Sequence, residues 1–281
     1  MKYICLAVAW AVALAAGTAG AATDFRQGNI EKNTTWTLDK HPYYIQGDVH
    51  ILNGATLTIE AGVEVRFYEV QGTGGYEDGA ELVVKNGSLV TNGKSGMPVT
   101  FTSANRVKKV GDWGAIVVYG SNQVILENAV IEYATNGLRF DRTTSSGASR
   151  SSFAGTRIRN CLKCGVYAYN AAVNLYHVSV ERNVDSGVKT SGNNCRVTAS
   201  YCDINNNYGM YNFYNDSANN VEATSCWWGT TVPNLIEMRI YDKKDNPTRG
   251  AVDYTPYLTR PWREGGGVTN YSTGFLKSLF K

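Results

Sequence analysis

The feature that most constrains this chain is a spacing. Four segments in its second half share one grammar: an aliphatic residue, a polar Asn-rich turn, a Gly, then another aliphatic. They run from Ile131 to Leu138, Ile158 to Val166, Val180 to Val188 and Ile204 to Met210. Their first residues stand 27, 22 and 24 apart, and a further 24 reaches Trp228. Upstream, short runs such as Ala55-Thr-Leu-Thr-Ile59, Val63-Glu-Val-Arg-Phe67 and Gln123-Val-Ile-Leu126 alternate apolar and polar residues. That alternation marks strands with one buried face. A unit of about 23 residues cannot bury its apolar face alone, so units must stack. Strands of neighbouring units then pair in parallel, about 4.8 Å apart. Aliphatics point inward as ladders, while Asn and Gly take the corners, where positive φ is needed. The expected fold is all-β, a parallel β-solenoid with three short strands per rung. A leucine-rich repeat has a similar period, but its L-x-x-L-x-L rhythm is missing here.

Composition agrees. Of 281 residues, 43% are hydrophobic and only 18% charged, which excludes a disordered chain. Lys plus Arg number 27 and Asp plus Glu 24, a net charge of +3. So even a balance gives no basic surface for nucleic acid. Lys2, an apolar run over residues 4–16 and Ala19-Gly20-Ala21 read as a cleavable signal peptide over residues 1–22. Nothing later is long and apolar enough to span a bilayer as a helix. The expected organisation is a signal peptide (1–22), a solenoid domain (23–260), and a Gly-containing linker and C-terminal tail (261–281). The expected location is secreted, periplasmic or at the cell surface.

The stretch from Gly47 to Phe67, then Glu81-Leu-Val-Val84, Pro98-Val-Thr-Phe-Thr-Ser103 and Asp112-Trp-Gly-Ala-Ile116, resembles the opening rungs of a known group. So does the ending, with Cys226-Trp-Trp-Gly-Thr230, Ile240-Tyr-Asp242 and Val252-Asp-Tyr-Thr-Pro-Tyr-Leu258. Over roughly residues 30–260 the chain resembles the secreted right-handed parallel β-helix proteins of the pectin-lyase-like superfamily. The resemblance implies a right-handed helix. It specifies architecture and leaves activity open, because this fold hosts lyases, hydrolases, epimerases and non-catalytic modules. Enzymes of the group, the resemblance implies, work in a groove outside the sheets, with Arg or Lys bases and calcium, or with clustered Asp residues. No segment here matches the paired-Asp pattern, and no lyase residue carries over.

Outward columns are the remaining source of chemistry. The position after each aliphatic anchor gives Glu132, Arg159, Glu181 and Asn205. An acid–base trio of Glu132, Arg159 and Glu181 is the enzymatic reading, and a solvated ion ladder the plain one. Two and four residues after each repeat Gly stand Arg139, Tyr167, Lys189 and Tyr211, then Asp141, Tyr169, Ser191 and Phe213. If alternation holds, Arg139, Tyr167, Tyr169, Lys189, Tyr211 and Phe213 form one face. Rings there can stack on sugars and cations can hold acidic groups. The insertion over residues 141–152 would rim it.

Glu77, Asp78 and Glu81 form an acidic loop in which calcium is conceivable, although the spacing is not that of a calcium loop. No other metal or cofactor is expected. His41, His50 and His177 are scattered without ligand spacing. Five cysteines follow the signal segment; Cys202 and Cys226, 24 apart, fall at one rung position and are disulfide candidates. Cys161 or Cys164 with Cys195 is another pairing. Trp228, aligned with Ile204, should point inward. The leading expectation is an exported non-catalytic module at the cell surface, envelope or matrix that binds polysaccharide through the Tyr/Arg/Lys face. The rivals are a polysaccharide lyase, hydrolase or epimerase acting on acidic polysaccharide, and a structural or self-associating surface protein.

Overall fold

The computed structural model describes residues 23–25, 27–70, 75–120, 122–149 and 151–264. The expected signal segment and the tail beyond Glu264 lie outside them. The strands wind as one solenoid with parallel pairing between rungs. The first face is an eight-stranded sheet and the second a nine-stranded sheet; the third is two four-stranded sheets. All 21 pairings between named strands are parallel.

Register explains the repeat. On the first sheet Val65, Phe101, Ile131, Ile158, Val180 and Ile204 stack rung upon rung, all fully buried. On the second, Leu82, Ile116, Leu138, Val166, Val188, Phe213 and Ile240 do the same. These ladders fill the interior, which is where the driving force of burial lies. Trp228 joins that core at 3% exposure, as its alignment with Ile204 requires.

The corners correct one expectation. Single left-handed residues do turn them, among them Asn128, Asn160, Asn170 and Asn206, joined by Tyr133, Arg182, Tyr201 and Ser225. The repeat glycines, however, are not left-handed. A Cβ on Gly165 would stand 2.7 Å from Asn183 Nδ2 and 3.0 Å from the Gly187 carbonyl. These glycines are needed because rungs approach closely at that point. Asparagines complete the corner: Asn136 Oδ1 accepts the Cys164 N–H, Asn183 Oδ1 that of Cys161, and Asn207 Oδ1 that of Asn183.

The insertion contains a short helix, Ser145–Ser149, packed on the strand Ala172–Tyr176 of the third face. It therefore covers the third face and does not rim the second. The chain from Leu258 on does not leave the solenoid as a linker at once. Leu258 N–H bonds the Cys226 carbonyl, the Trp262 N–H bonds Asp203 Oδ1 at 2.9 Å, and the Trp262 ring stacks on His177 at 4.5 Å. Among the described residues no helix is long and apolar enough to cross a membrane.

Candidate functional site

The outward positions of the second sheet hold the first four expected residues where the period-2 argument puts them. Arg139 is opposite Tyr167, which is opposite Lys189; Asp141 is opposite Tyr169, which is opposite Ser191. The next rung departs. Lys189 faces Tyr214 and Ser191 faces Asp216, so Tyr211 and Phe213 do not belong to these columns. Phe213 is fully buried beneath Val188, and Tyr211 pairs with Ser186. The cause is turn length. Ile204 to Phe213 spans nine residues against eight from Val180 to Val188, and Asn212, not Gly209, stands opposite Gly187. Counting from Gly209 shifts the register by three, and an odd shift exchanges faces.

The rings also sit differently from what sugar stacking asks. The Tyr214 ring lies under Lys189 Nζ at 5.0 Å and against Tyr241 at 4.4 Å, nearly parallel. Both of its faces are covered by neighbouring rungs. Arg139 lies over Tyr167 at 5.2 Å and over Tyr76 at 5.4 Å. The column is a cation–π ladder that presents ring edges and hydroxyls outward. The Tyr167 hydroxyl hydrogen-bonds Ser191 Oγ at 2.8 Å.

A loop completes the site. Val83, Ala115 and Val117 form an apolar patch on the outside of the second sheet, and Tyr76 packs on it. Glu81 fixes that loop by accepting the N–H groups of Tyr76 at 2.9 Å and Glu77 at 2.6 Å. Glu77 then reaches across to Arg139 Nη1 at 2.5 Å and Lys163 Nζ at 2.9 Å. Arg139 also contacts Asp141 at 3.2 Å. Burial works against the guanidinium charge, but Glu77 and Asp141 more than offset it and hold its pKa above the usual value.

The result is a cleft of about 380 Å³ lined by Tyr76, Glu77, Asn136, Arg139, Lys163, Cys164, Tyr167, Asp185 and Lys189. On the loop's other side a second hollow of about 400 Å³ holds Asp48, His50, Glu81 and Lys85. Burial raises the Glu81 carboxyl to about 7, against the pull of the two loop amides. Sequence reasoning found Arg139, Tyr167 and Lys189 but missed Tyr76, Glu77, Lys163 and Asp185 as parts of one cleft.

The other candidates separate. Glu132, Arg159 and Glu181 do stack in register, but on the first sheet. Arg159 holds Glu132 at 2.8 Å, while Glu181 pairs with Arg157 at 3.6 Å. Glu132 also accepts Thr102 at 3.0 Å and sits 3.8 Å from Lys108. The trio is an ion ladder and lines neither cleft. Glu77 and Glu81 are engaged as described, and the described residues gather no group of three His, Cys, Asp or Glu fit to hold a metal ion. The cysteines stand as buried thiols. Cys202 and Cys226 do meet, hydrogen-bonded to each other, and burial pushes the Cys226 thiol well up. The expected staple between them is not formed. Cys195 bonds the Ala168 and Ser191 carbonyls and does not pair with Cys161 or Cys164. Burial pushes Cys164, in the cleft wall, up to about 12.

Parallel strands on three stacked faces, with inward ladders and outward side-chain columns, define a parallel β-helix protein. The family described as right handed beta helix region matches residues 89–229, and that described as pectate-lyase like beta helix domain matches residues 28–135. The chain belongs to the right-handed, pectin-lyase-like parallel β-helix family. No curated protein and no solved structure is significantly similar to it.

Proposed function

We propose that this protein is an exported, non-catalytic β-helix module of the cell surface, envelope or matrix that binds polysaccharide in the cleft between the 75–80 loop and the second sheet. The observation that carries this reading is the cleft itself. Three cations, two carboxylates and two tyrosines from four separate segments are held on a rigid strand scaffold. Hydroxyls and ring edges supply directional contacts of the kind a sugar's own hydroxyls satisfy.

The cleft groups whose titration is displaced, Tyr76, Arg139 and Cys164, are all displaced upward, away from neutral pH. A general acid or base works best with a pKa near the operating pH. Here burial sends Cys164 to about 12, burial sends Tyr76 upward, and Arg139 stays a held cation. Glu81 titrates near 7 but is fully buried, with its oxygens committed to the loop amides.

The test is retention of the purified protein on a panel of neutral and acidic polysaccharides, with product analysis of each polymer. The expected result is retention on at least one polymer without chemical change. Replacing Tyr167 by Ala and Lys189 by Gln together should abolish most of it. Unchanged retention in that double variant places the site elsewhere. New reducing or unsaturated ends replace this reading with an enzyme.

A further inference from the structure

A basic pocket lies at another corner of the solenoid, where the third face passes into the first sheet. Three successive rungs wall it: the turn at Lys94, then residues 128–130, then Gly155 and Arg157. The C-terminal segment completes it with Arg263, and its volume is about 270 Å³. It shares no lining residue with the cleft described above. Both movable sides are pinned. The Lys94 and Met97 backbones bond each other at 3.1 and 2.9 Å across a two-residue turn, with Gly96 at φ +78°. Arg263 Nη2 donates to the Gly155 and Thr156 carbonyls at 3.2 and 3.3 Å.

Three cations line this pocket and no carboxylate does. Lys94 and Arg263 enter no ion pair among the described residues. Arg157 approaches Glu181 through Nε at 3.6 Å, too far for a hydrogen bond. The two guanidinium groups feel each other. Desolvation first, and the Arg157 charge second, lower the Arg263 pKa against the weaker pull of Asp203 and Glu181, which stand outside the pocket. Asp203 is already engaged by the Trp262 N–H at 2.9 Å and the Ser179 hydroxyl at 3.2 Å. The carbonyls that would repel an anion are also occupied. Arg263 takes those of Gly155 and Thr156, Asn128 Nδ2 that of Gly93 at 3.1 Å, and the Val99 N–H that of Asn128 at 3.2 Å. What remains is a hollow rich in charged donors and poor in free acceptors.

We infer that this pocket is a binding site for a phosphate monoester group. The inference is independent of the polysaccharide reading. A phosphate monoester carries about −1.5 to −2 charge near neutral pH and three acceptor oxygens. A carboxylate brings one charge and two oxygens, and leaves most of a three-cation cluster uncompensated. Arg157 offers its planar fork to two of the phosphate oxygens, and Lys94 a point charge to the third. Arg263 contributes the charge and the donors that it does not spend on the two carbonyls.

The experiment is a calorimetric titration of the purified protein, at low ionic strength, with phenyl phosphate, inorganic phosphate and acetate. Variants are Lys94→Gln, Arg157→Gln and Arg157→Lys. Lys32→Gln, at an exposed lysine outside the pocket, controls for overall charge, and circular dichroism verifies every fold. The expected result is that both phosphates bind roughly tenfold or more tightly than acetate. Lys94→Gln and Arg157→Gln should each weaken phosphate binding roughly fivefold, Arg157→Lys less, and Lys32→Gln not at all. Equal affinity for acetate and phosphate overturns the phosphate assignment. Unchanged binding in both pocket variants, or an equal loss in Lys32→Gln, overturns the site, as does a wild-type protein that binds no phosphate. Co-sedimentation with phosphatidylcholine vesicles, with and without phosphatidic acid, then identifies the source. Sedimentation that needs phosphatidic acid and is reversed by phenyl phosphate supports the site as one for a lipid headgroup. Phosphate binding without it supports the site as one for a soluble ester.

Discussion

At the scale of single residues, the molecule is held at its corners by side chains that act as backbone. Asn207 is the fullest case. Its amide nitrogen donates to the Val180 and Asn205 carbonyls and to Asn212 Oδ1, while its oxygen accepts the Asn183 N–H. Asn207→Ala leaves several buried groups unmet, and an urea titration should show about 2–4 kcal/mol of lost stability. Glu81 gives a pH signature. Its folded pKa of about 7 lies above the 4.5 of an unperturbed Glu. Between those values the folded chain binds the extra proton, so this contribution is complete below about 4.5 and is lost as pH rises through 7. The melting temperature should fall from pH 5 to pH 8, and Glu81→Gln should flatten that slope. A slope of equal size in the variant would assign it to other groups. The residues of the cleft were only half legible in sequence. Arg139, Tyr167 and Lys189 follow from alternation, whereas Glu77 reaches Arg139 and Lys163 across 62 and 86 positions, a pairing with no local signal.

At the scale of the strand and its turn, the aliphatic anchors made the rungs countable because each is one step of a buried ladder. Gly was a poorer marker. Gly137, Gly165 and Gly187 recur because neighbouring rungs crowd them, and Gly209 imitates the pattern while serving a different contact. That is why Phe213 was expected outside and lies inside. The crowding makes a direct prediction. Gly165→Ala must push against the Gly187 carbonyl, Val180 and Asn183, which no rotamer relieves. It should cost about 1–3 kcal/mol in chemical denaturation. The same substitution at Gly96, where nothing lies within 4 Å but φ is +78°, should cost less, since only backbone strain is at issue. Equal losses at the two sites would show that packing is not the reason for the repeat glycine.

At the scale of the whole molecule, most described contacts join neighbouring rungs, while Glu77, bridging to Arg139 and Lys163, and the C-terminal segment reach further. The segment ending in Trp262–Glu264 crosses several rungs, from the Cys226 carbonyl past Asp203 and His177 to Arg263, which donates to the Gly155 and Thr156 carbonyls at 3.2 and 3.3 Å. Composition had marked residues from 261 on as linker, because Gly-rich sequence hides the docking of its first few members. Trp262→Ala should lower stability by about 1–3 kcal/mol and open a new protease-sensitive site near residue 260, read by timed digestion. Unaltered digestion would show that the segment rests on the surface without bracing it. The path of this segment has a topological consequence. Glu264 is delivered to the flank of the stack, some way back from its last coil. The described chain thus doubles back along its own length, and its last residues clasp a rung laid down 107 and 108 positions earlier.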